Sequence, residues 1–151
     1  AIVNELPPFE DYNMKNRTYR YFEGKPLYPF GHGLSYTKWS LTDASLEDGI
    51  CVTVSNEGKT DGDAVVQVYV KINSPYAPLH PRLCGFRRVS VPAGQSVKTH
   101  ILLDSLADTV VNEQGERVTC SDMTFYIGMS QPDEYSVSLS GVKPLILTAS
   151  V

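Results

Sequence analysis

The sequence predicts an all-β fold, an immunoglobulin-like β-sandwich of about seven short strands preceded by an irregular N-terminal extension. After residue 38, short apolar alternations recur with turn signals at roughly 8 to 12 residue spacing, and no amphipathic helix exceeds two turns. Hydrophobic residues make up 42% and charged residues 20% of the 151 residues, which is ordinary globular composition. One core of usual size is therefore expected.

Alternation of apolar and polar residues gives the strands. In chain order they are Trp39–Leu46, Ile50–Asn56, Ala64–Ile72, Leu83–Val91, Val97–Leu103, Met123–Met129, Tyr135–Ser140 and Leu145–Leu147. Ala64–Ile72 alternates most clearly, with four aliphatic residues inward and with Gln67 and Tyr69 outward. Gly85 is a candidate bulge, and Val110–Val118 is a candidate hairpin about Gly115.

The segment before the first strand lacks the regular alternation of apolar and polar residues seen after residue 38. Arg17–Phe22 predicts a short strand with aromatic and charged residues on both faces. Tyr28–Tyr36 contains Pro29 between aromatic residues and glycines on both sides of His32, which favours a bent, closely packed connection. Phe30, Leu34 and Tyr36 are the side chains expected to pin this connection against its neighbours.

Charge and cysteine content argue against several classes of partner. The balance of 13 basic and 17 acidic residues, without a basic block, makes nucleic acid an unexpected partner. No apolar run approaches the ~20 residues that cross a bilayer, so no membrane partner is expected. Three widely spaced cysteines form no metal-binding pattern, and no metal or cofactor is predicted. Unpaired core cysteines slightly favour a cytoplasmic over a secreted compartment.

Six stretches are similar to one enzyme family: Arg17–Phe22, Lys25–Thr37, Asn56–Asp63, Val65–Val70, Gly85–Val89 and Gly128–Asp133. In this order they resemble the C-terminal part of glycoside hydrolase family 3 enzymes, the β-glucosidases and β-xylosidases that end in a fibronectin type III-like domain. The resemblance covers essentially the whole chain. It implies that residues 1–37 are the tail of a preceding α/β domain with a linker, that residues 38–151 are the fibronectin type III-like domain, and that the chain is a piece of a longer protein.

The same resemblance implies that catalysis takes place elsewhere, because the family's nucleophile and acid/base carboxylates lie in preceding domains. A retaining glycosidase requires two carboxyl groups about 5 to 5.5 Å apart at a sugar pocket. The chain offers only paired acids in turns or in the tail, which ordinarily cap backbone groups or face water; these are Glu10 with Asp11, Asp61 with Asp63, and Asp133 with Glu134. No nucleophile motif accompanies the histidines, so no catalytic residue is predicted.

Two function classes remain open. The first is a non-catalytic module that buttresses the catalytic domains of a parent enzyme acting on β-glucosides or β-xylosides. Its predicted inter-domain contacts, of the types enriched at interfaces, are Arg17, Tyr19, Arg20, Tyr21, Phe30 and His32. The alternative is a carbohydrate-binding module in which Tyr69 and Tyr76 stack on sugar rings, with Trp39 in the core.

Overall fold

A computed structural model describes residues 8–14 and 17–150, without the side chains of Tyr19 and Ser150. In this part the strands are β1 (Trp39–Glu47), β2 (Gly49–Asn56), β3 (Gly62–Ile72), β4 (Arg82–Val91), β5 (Ser96–Ile101), β6 (Thr109–Val111), β7 (Arg117–Thr119), β8 (Asp122–Gly128) and β9 (Leu145–Ser150). The helices are α1 (Thr18–Tyr21) and α2 (Glu134–Ser140). Neither helix is long or apolar enough to cross a membrane.

The strands form two antiparallel sheets that pack face to face. One sheet has the order β1-β2-β5 and the other the order β4-β3-β8-β9, while β6 and β7 form a separate hairpin. The predicted immunoglobulin-like sandwich is confirmed, as is the hairpin about Gly115.

Alternating side chains from the two sheets make one core. Ile50, Val52 and Val54 of β2 are fully buried and belong to the same apolar cluster as Val66 and Val68 of β3. Each such side chain contributes about 1.5–3 kcal/mol relative to an exposed one. These alternations were the clearest in the sequence, and they define the middle of each sheet.

The bulge predicted at Gly85 is present in β4. Val68 pairs with Gly85 and Tyr69 pairs with Leu83, so Cys84 is the extra residue. A Cβ atom at Gly85 would lie 2.8 Å from the carbonyl oxygen of Leu102. Glycine is therefore required here because the backbone that follows β5 approaches β4 closely.

The strand predicted over Tyr135–Ser140 is wrong, because these residues form α2. Asp133 caps the helix, its carboxylate accepting hydrogen bonds from the backbone N–H of Ser136 at 2.7 Å and from its hydroxyl at 3.0 Å. Gly141 ends the helix with a φ of 70°. These two caps outweigh the alternation of apolar residues between them.

The short strand predicted over Arg17–Phe22 is also wrong, since α1 occupies its centre. A lone strand would leave its backbone without partners, whereas here the N–H of Phe22 donates to the carbonyl of Thr18 at 3.0 Å. The Arg17 guanidinium donates to the carbonyls of Asp11 at 2.6 Å and Asn13 at 3.1 Å, which folds the preceding residues back.

Candidate inter-domain surface

The N-terminal segment, residues 17–38, runs along the outer face of the sheet β4-β3-β8-β9. The carbonyl of Phe30 accepts from the N–H of Gln131 at 2.9 Å, and that of Leu27 accepts from the Tyr135 hydroxyl at 3.3 Å. His80 Nε2 lies 3.2 Å from the carbonyl oxygen of Phe22. These contacts attach the segment to the sandwich along much of its length.

The segment covers the middle of β3. Gln67 and Tyr69, predicted to face outward, are 8% and 0% exposed, and the Tyr69 hydroxyl donates to Gln67 Oε1 at 2.6 Å. Gly31, with a φ of 80°, lies so close that a Cβ atom there would be 2.7 Å from both polar atoms of the Gln67 amide and 3.0 Å from Cα of Ser130. The glycine thus permits the segment to lie flat on the sheet.

This burial corrects one prediction for sugar binding. The Tyr69 ring is inaccessible, so it does not stack on a carbohydrate, whereas Tyr76 is 45% exposed. Trp39 packs against the core, as predicted, and its indole N–H donates to the Ser35 hydroxyl at 3.0 Å. The platform of two neighbouring tyrosines is therefore not formed.

Asn56 attaches the end of the segment to the sandwich. The residue is 1% exposed, and its side-chain Nδ2 donates to the carbonyls of Thr60 at 2.9 Å and Val91 at 3.0 Å. Its Oδ1 accepts from the N–H of Gly58 at 3.0 Å and from the Thr37 hydroxyl. All donors and both acceptor sites of the amide are used, so the N-terminal segment, a loop and the end of β4 meet at one side chain.

Gly58 allows that close approach. A Cβ atom at position 58 would lie 3.0 Å from Thr37 Cβ and 3.2 Å from the backbone nitrogen of Lys38. Next to it, the N–H of Glu57 donates to the carbonyl of Lys38 at 2.8 Å, and the Lys38 ammonium pairs with the Glu57 carboxylate at 3.0 Å. Hydrogen bonds from Lys38 and then Ser40, together with the charge of Lys38, hold the pKa of Glu57 below its ordinary value.

The N-terminal segment and the residues just before it expose a concentration of large apolar side chains. Nine are exposed within residues 9–36, against twelve in the rest of the described chain. Leu34 and Tyr36, predicted to pin the connection, are 98% and 99% exposed, so neither side chain is packed against the part of the chain that the structure describes. The nine are Phe9, Tyr12, Met14, Tyr21, Leu27, Tyr28, Phe30, Leu34 and Tyr36.

The predicted contact residues lie at several places on this surface. Phe30 is 45% exposed and, with Arg17, borders a groove of about 930 Å³ between the segment and α2. His32 stacks on the Tyr28 ring with centroids 5.4 Å apart, beside a second groove. The remaining three cluster at α1, where Arg20 and Tyr21 line a third cavity and the side chain of Tyr19 lies outside the described residues.

Within the acidic pairs, Asp133 caps α2, and Asp61 and Asp63 accept hydrogen bonds from groups in or just after β4. Asp61 accepts from the N–H of Ala93 at 2.8 Å, and Asp63 accepts from Ser90 and Arg88 on the neighbouring strand. The hydrogen bonds from Ser90 and then Arg88 lower the pKa of Asp63. Among residues 8–14 and 17–150 no group of three potential ligands could hold a metal ion.

The fold and this surface define an immunoglobulin-like sandwich domain carrying an N-terminal segment with exposed apolar side chains. Residues 64–131 match the family model of the fibronectin type III-like domain. This part of the chain is therefore similar to a fibronectin type III-like domain, and the chain as a whole matches the C-terminal region of family 3 glycoside hydrolases.

Individual relatives agree with this assignment. The chain is 39% identical over 107 residues to the xylan 1,4-β-xylosidase of Xylanibacter ruminicola. This match covers 66% of this chain and 12% of the relative. It is 35% identical over 130 residues to the thermostable β-glucosidase B of Acetivibrio thermocellus, and this match covers 76% of this chain and 17% of the relative. The solved structure of DesR, a β-glucosidase from Streptomyces venezuelae, matches with a TM-score of 0.68 at 27% identity, over 87% of this chain and 18% of that one.

The chain thus spans less than a fifth of the length of these relatives. Matches over 76% and 87% of the chain must include residues before Ala64, because residues 64–151 alone account for less than that. The similarity therefore extends into the part of the chain that precedes the family-model match.

Proposed function

We propose that this chain is a non-catalytic C-terminal module of a family 3 glycoside hydrolase that acts on β-glucosides or β-xylosides. In this proposal residues 1–37 are the tail of the preceding α/β domain with the linker, and residues 38–151 are the fibronectin type III-like domain. The module buttresses the catalytic domains of the same polypeptide. The relatives, named as β-glucosidases and a β-xylosidase, support the class of parent enzyme.

One observation carries the buttressing role: the large exposed side chains are concentrated on the segment that leads into the sandwich. Domains of one chain typically meet over 600–1,500 Å². Amphipathic aromatics and arginines are enriched in such contacts, and the segment supplies both types. Contacts made by Phe30 and Leu27 with α2 and the residues just before it fix the segment on the sandwich, so a domain docked on the segment is also fixed relative to the sandwich.

Sugar binding has less support as the function. Of the two tyrosines it requires, Tyr69 is 0% exposed. Calorimetric titration with xylan and cello-oligosaccharides is expected to give no saturable heat. Saturable heat that disappears in Tyr76→Ala would favour the binding module.

The docking role is tested by making the same substitution at two exposed leucines, one on the N-terminal segment and one elsewhere. Leu34 is 98% exposed on the segment, and Leu102 is 71% exposed in the loop after β5. In the 151-residue chain both Leu→Ser changes should alter the free energy of unfolding by no more than ~0.5 kcal/mol, since neither side chain is buried.

In a longer protein that includes the catalytic domains, Leu34→Ser should lower the melting temperature and Leu102→Ser should not. Equal effects of the two variants there would refute docking through the segment. Turnover of an aryl-glucoside or aryl-xyloside by the 151-residue chain alone would refute the absence of catalysis.

A further inference from the structure

A cavity at one end of the sandwich collects positive charge and has no carboxylate among its described lining residues. It has a volume of about 260 Å³ and lies between α1, the ends of β3 and β4, the loop between them and the β6–β7 hairpin. Four of the chain's 13 basic residues line it, and none of the acidic residues that the structure describes does, although the net charge is −4. The four are Arg20, Lys71, Arg82 and Arg117.

The partners of these groups are neutral oxygens. Lys71 Nζ donates to the carbonyls of Pro78 and Leu79 at 2.8 and 2.5 Å, and Arg82 donates to those of Leu106 and Ala107 at 2.7 and 3.1 Å. Arg117 donates to the Thr109 hydroxyl at 3.0 Å. Ion pairs in the described part of the chain involve only Lys38 and Arg88, elsewhere on the domain.

Arg20 adds a donor that is buried but unused. Its Nε is shielded from solvent and has no hydrogen-bond acceptor among the residues that the structure describes. A buried part of a charged group is costly without a counter-charge, and an oxyanion beside the guanidinium would lower that cost through its charge, although Nε itself is closed to solvent. Arg20 is therefore a further cation at the cavity without a carboxylate partner among the described residues.

From these observations we propose that this cavity is a binding site for the oxyanion of a small molecule, a phosphate or a carboxylate, no larger than a monosaccharide. Planar guanidinium groups bind both anions in two-pronged geometry. The rings of Tyr21 and Tyr76 line the same cavity, so a sugar carrying a carboxylate would find an aromatic surface beside the charges. This proposal does not depend on the proposed role in a glycosidase.

The test follows amide chemical shifts of the 151-residue chain during titration at constant ionic strength, with chloride as the balancing salt because screening alone moves weak charge contacts. The probes are inorganic phosphate, glucuronate and glucose; glucose is the uncharged counterpart of glucuronate. Saturable shifts confined to the cavity residues are expected with phosphate or glucuronate and not with glucose. The dissociation constants of phosphate and glucuronate are then compared, and the lower one shows whether the site prefers a phosphate or an acidic sugar.

Three variants complete the test. Arg117→Gln and Arg82→Gln each remove one lining guanidinium and should weaken anion binding by at least about tenfold. Arg87→Gln is the matched control: it removes an exposed guanidinium that donates to a backbone carbonyl, that of His100, away from the cavity, and it should bind as the unaltered chain does. Absence of saturable shifts, equal binding of glucose and glucuronate, or equal losses in Arg117→Gln and Arg87→Gln would overturn the proposal.

Discussion

Replacing Asn56 by alanine should destabilise the domain far more than an ordinary polar substitution. The change leaves the Val91 carbonyl, buried at the end of β4, without its donor, at a cost of about 1–3 kcal/mol. It also removes the partly buried bonds to Thr60, Gly58 and Thr37, each worth about 0.5–1.5 kcal/mol. Allowing for non-additivity and rehydration, we expect a loss of about 3–5 kcal/mol.

Urea unfolding measures this loss against a matched control. With a slope of about 1–3 kcal/mol per molar urea, a loss of about 3–5 kcal/mol should lower the midpoint of Asn56→Ala by roughly 1–5 M. Asn73→Ala removes a single exposed bond, from the Asn73 amide to the Asp122 carboxylate at 2.8 Å, and should cost less than ~1 kcal/mol. Equal midpoint shifts in the two variants would refute the assignment of Asn56 as the residue that joins the N-terminal segment, the loop and β4.

Three further predictions concern individual side chains. Asp133→Ala should cost about 1 kcal/mol by removing the cap of α2, measured by urea unfolding, and Asp133→Ser should recover most of it. At pH 8 a thiol reagent should modify Cys120 in the native chain but spare Cys84, because burial raises the pKa of the Cys84 thiol to about 12; rapid loss of both thiols would contradict this. Since Ser90 and Arg88 lower the pKa of Asp63, its stabilisation is complete above the ordinary carboxyl pKa of ~4 and is lost as pH falls through the lowered value. Asp63→Asn should therefore unfold with a shallower dependence on acid pH, and an unchanged dependence would be inconsistent with this pairing.

The sandwich was predictable because its central strands alternate with a period of two. Predicted strands over 50–56 and 64–72 agree with β2 and β3 to within two residues at each end. The bulge at Gly85 was predictable for a related reason, since an isolated glycine inside a strand pattern marks a place where backbone approaches backbone.

Helix α2 was missed although the sequence contains its signals. Tyr135, Val137 and Leu139 alternate like a strand, but Tyr135 and Leu139 also stand four residues apart, as on one face of a helix. Asp133 before the segment and Gly141 after it are the cap residues that decide between the two patterns.

The surface could be predicted only in part. Periodicity shows that Tyr69 faces away from the core, but it cannot show that the N-terminal segment covers this face of the sheet. The role of Asn56 was hidden for a similar reason: an asparagine at the end of a strand indicates a turn, whereas its partners Thr37 and Val91 come from distant parts of the chain. Whether Arg17, Phe30 and His32 contact another domain stays a prediction.

Amide hydrogen exchange over residues 27–36 tests the central claim most directly, because it compares the same backbone with and without the catalytic domains. In the 151-residue chain these amides should exchange quickly, since the segment places Leu34 and Tyr36 in solvent. In the longer protein they should be protected at least about tenfold. Equal exchange rates in the two proteins would contradict docking of the catalytic domains on this segment.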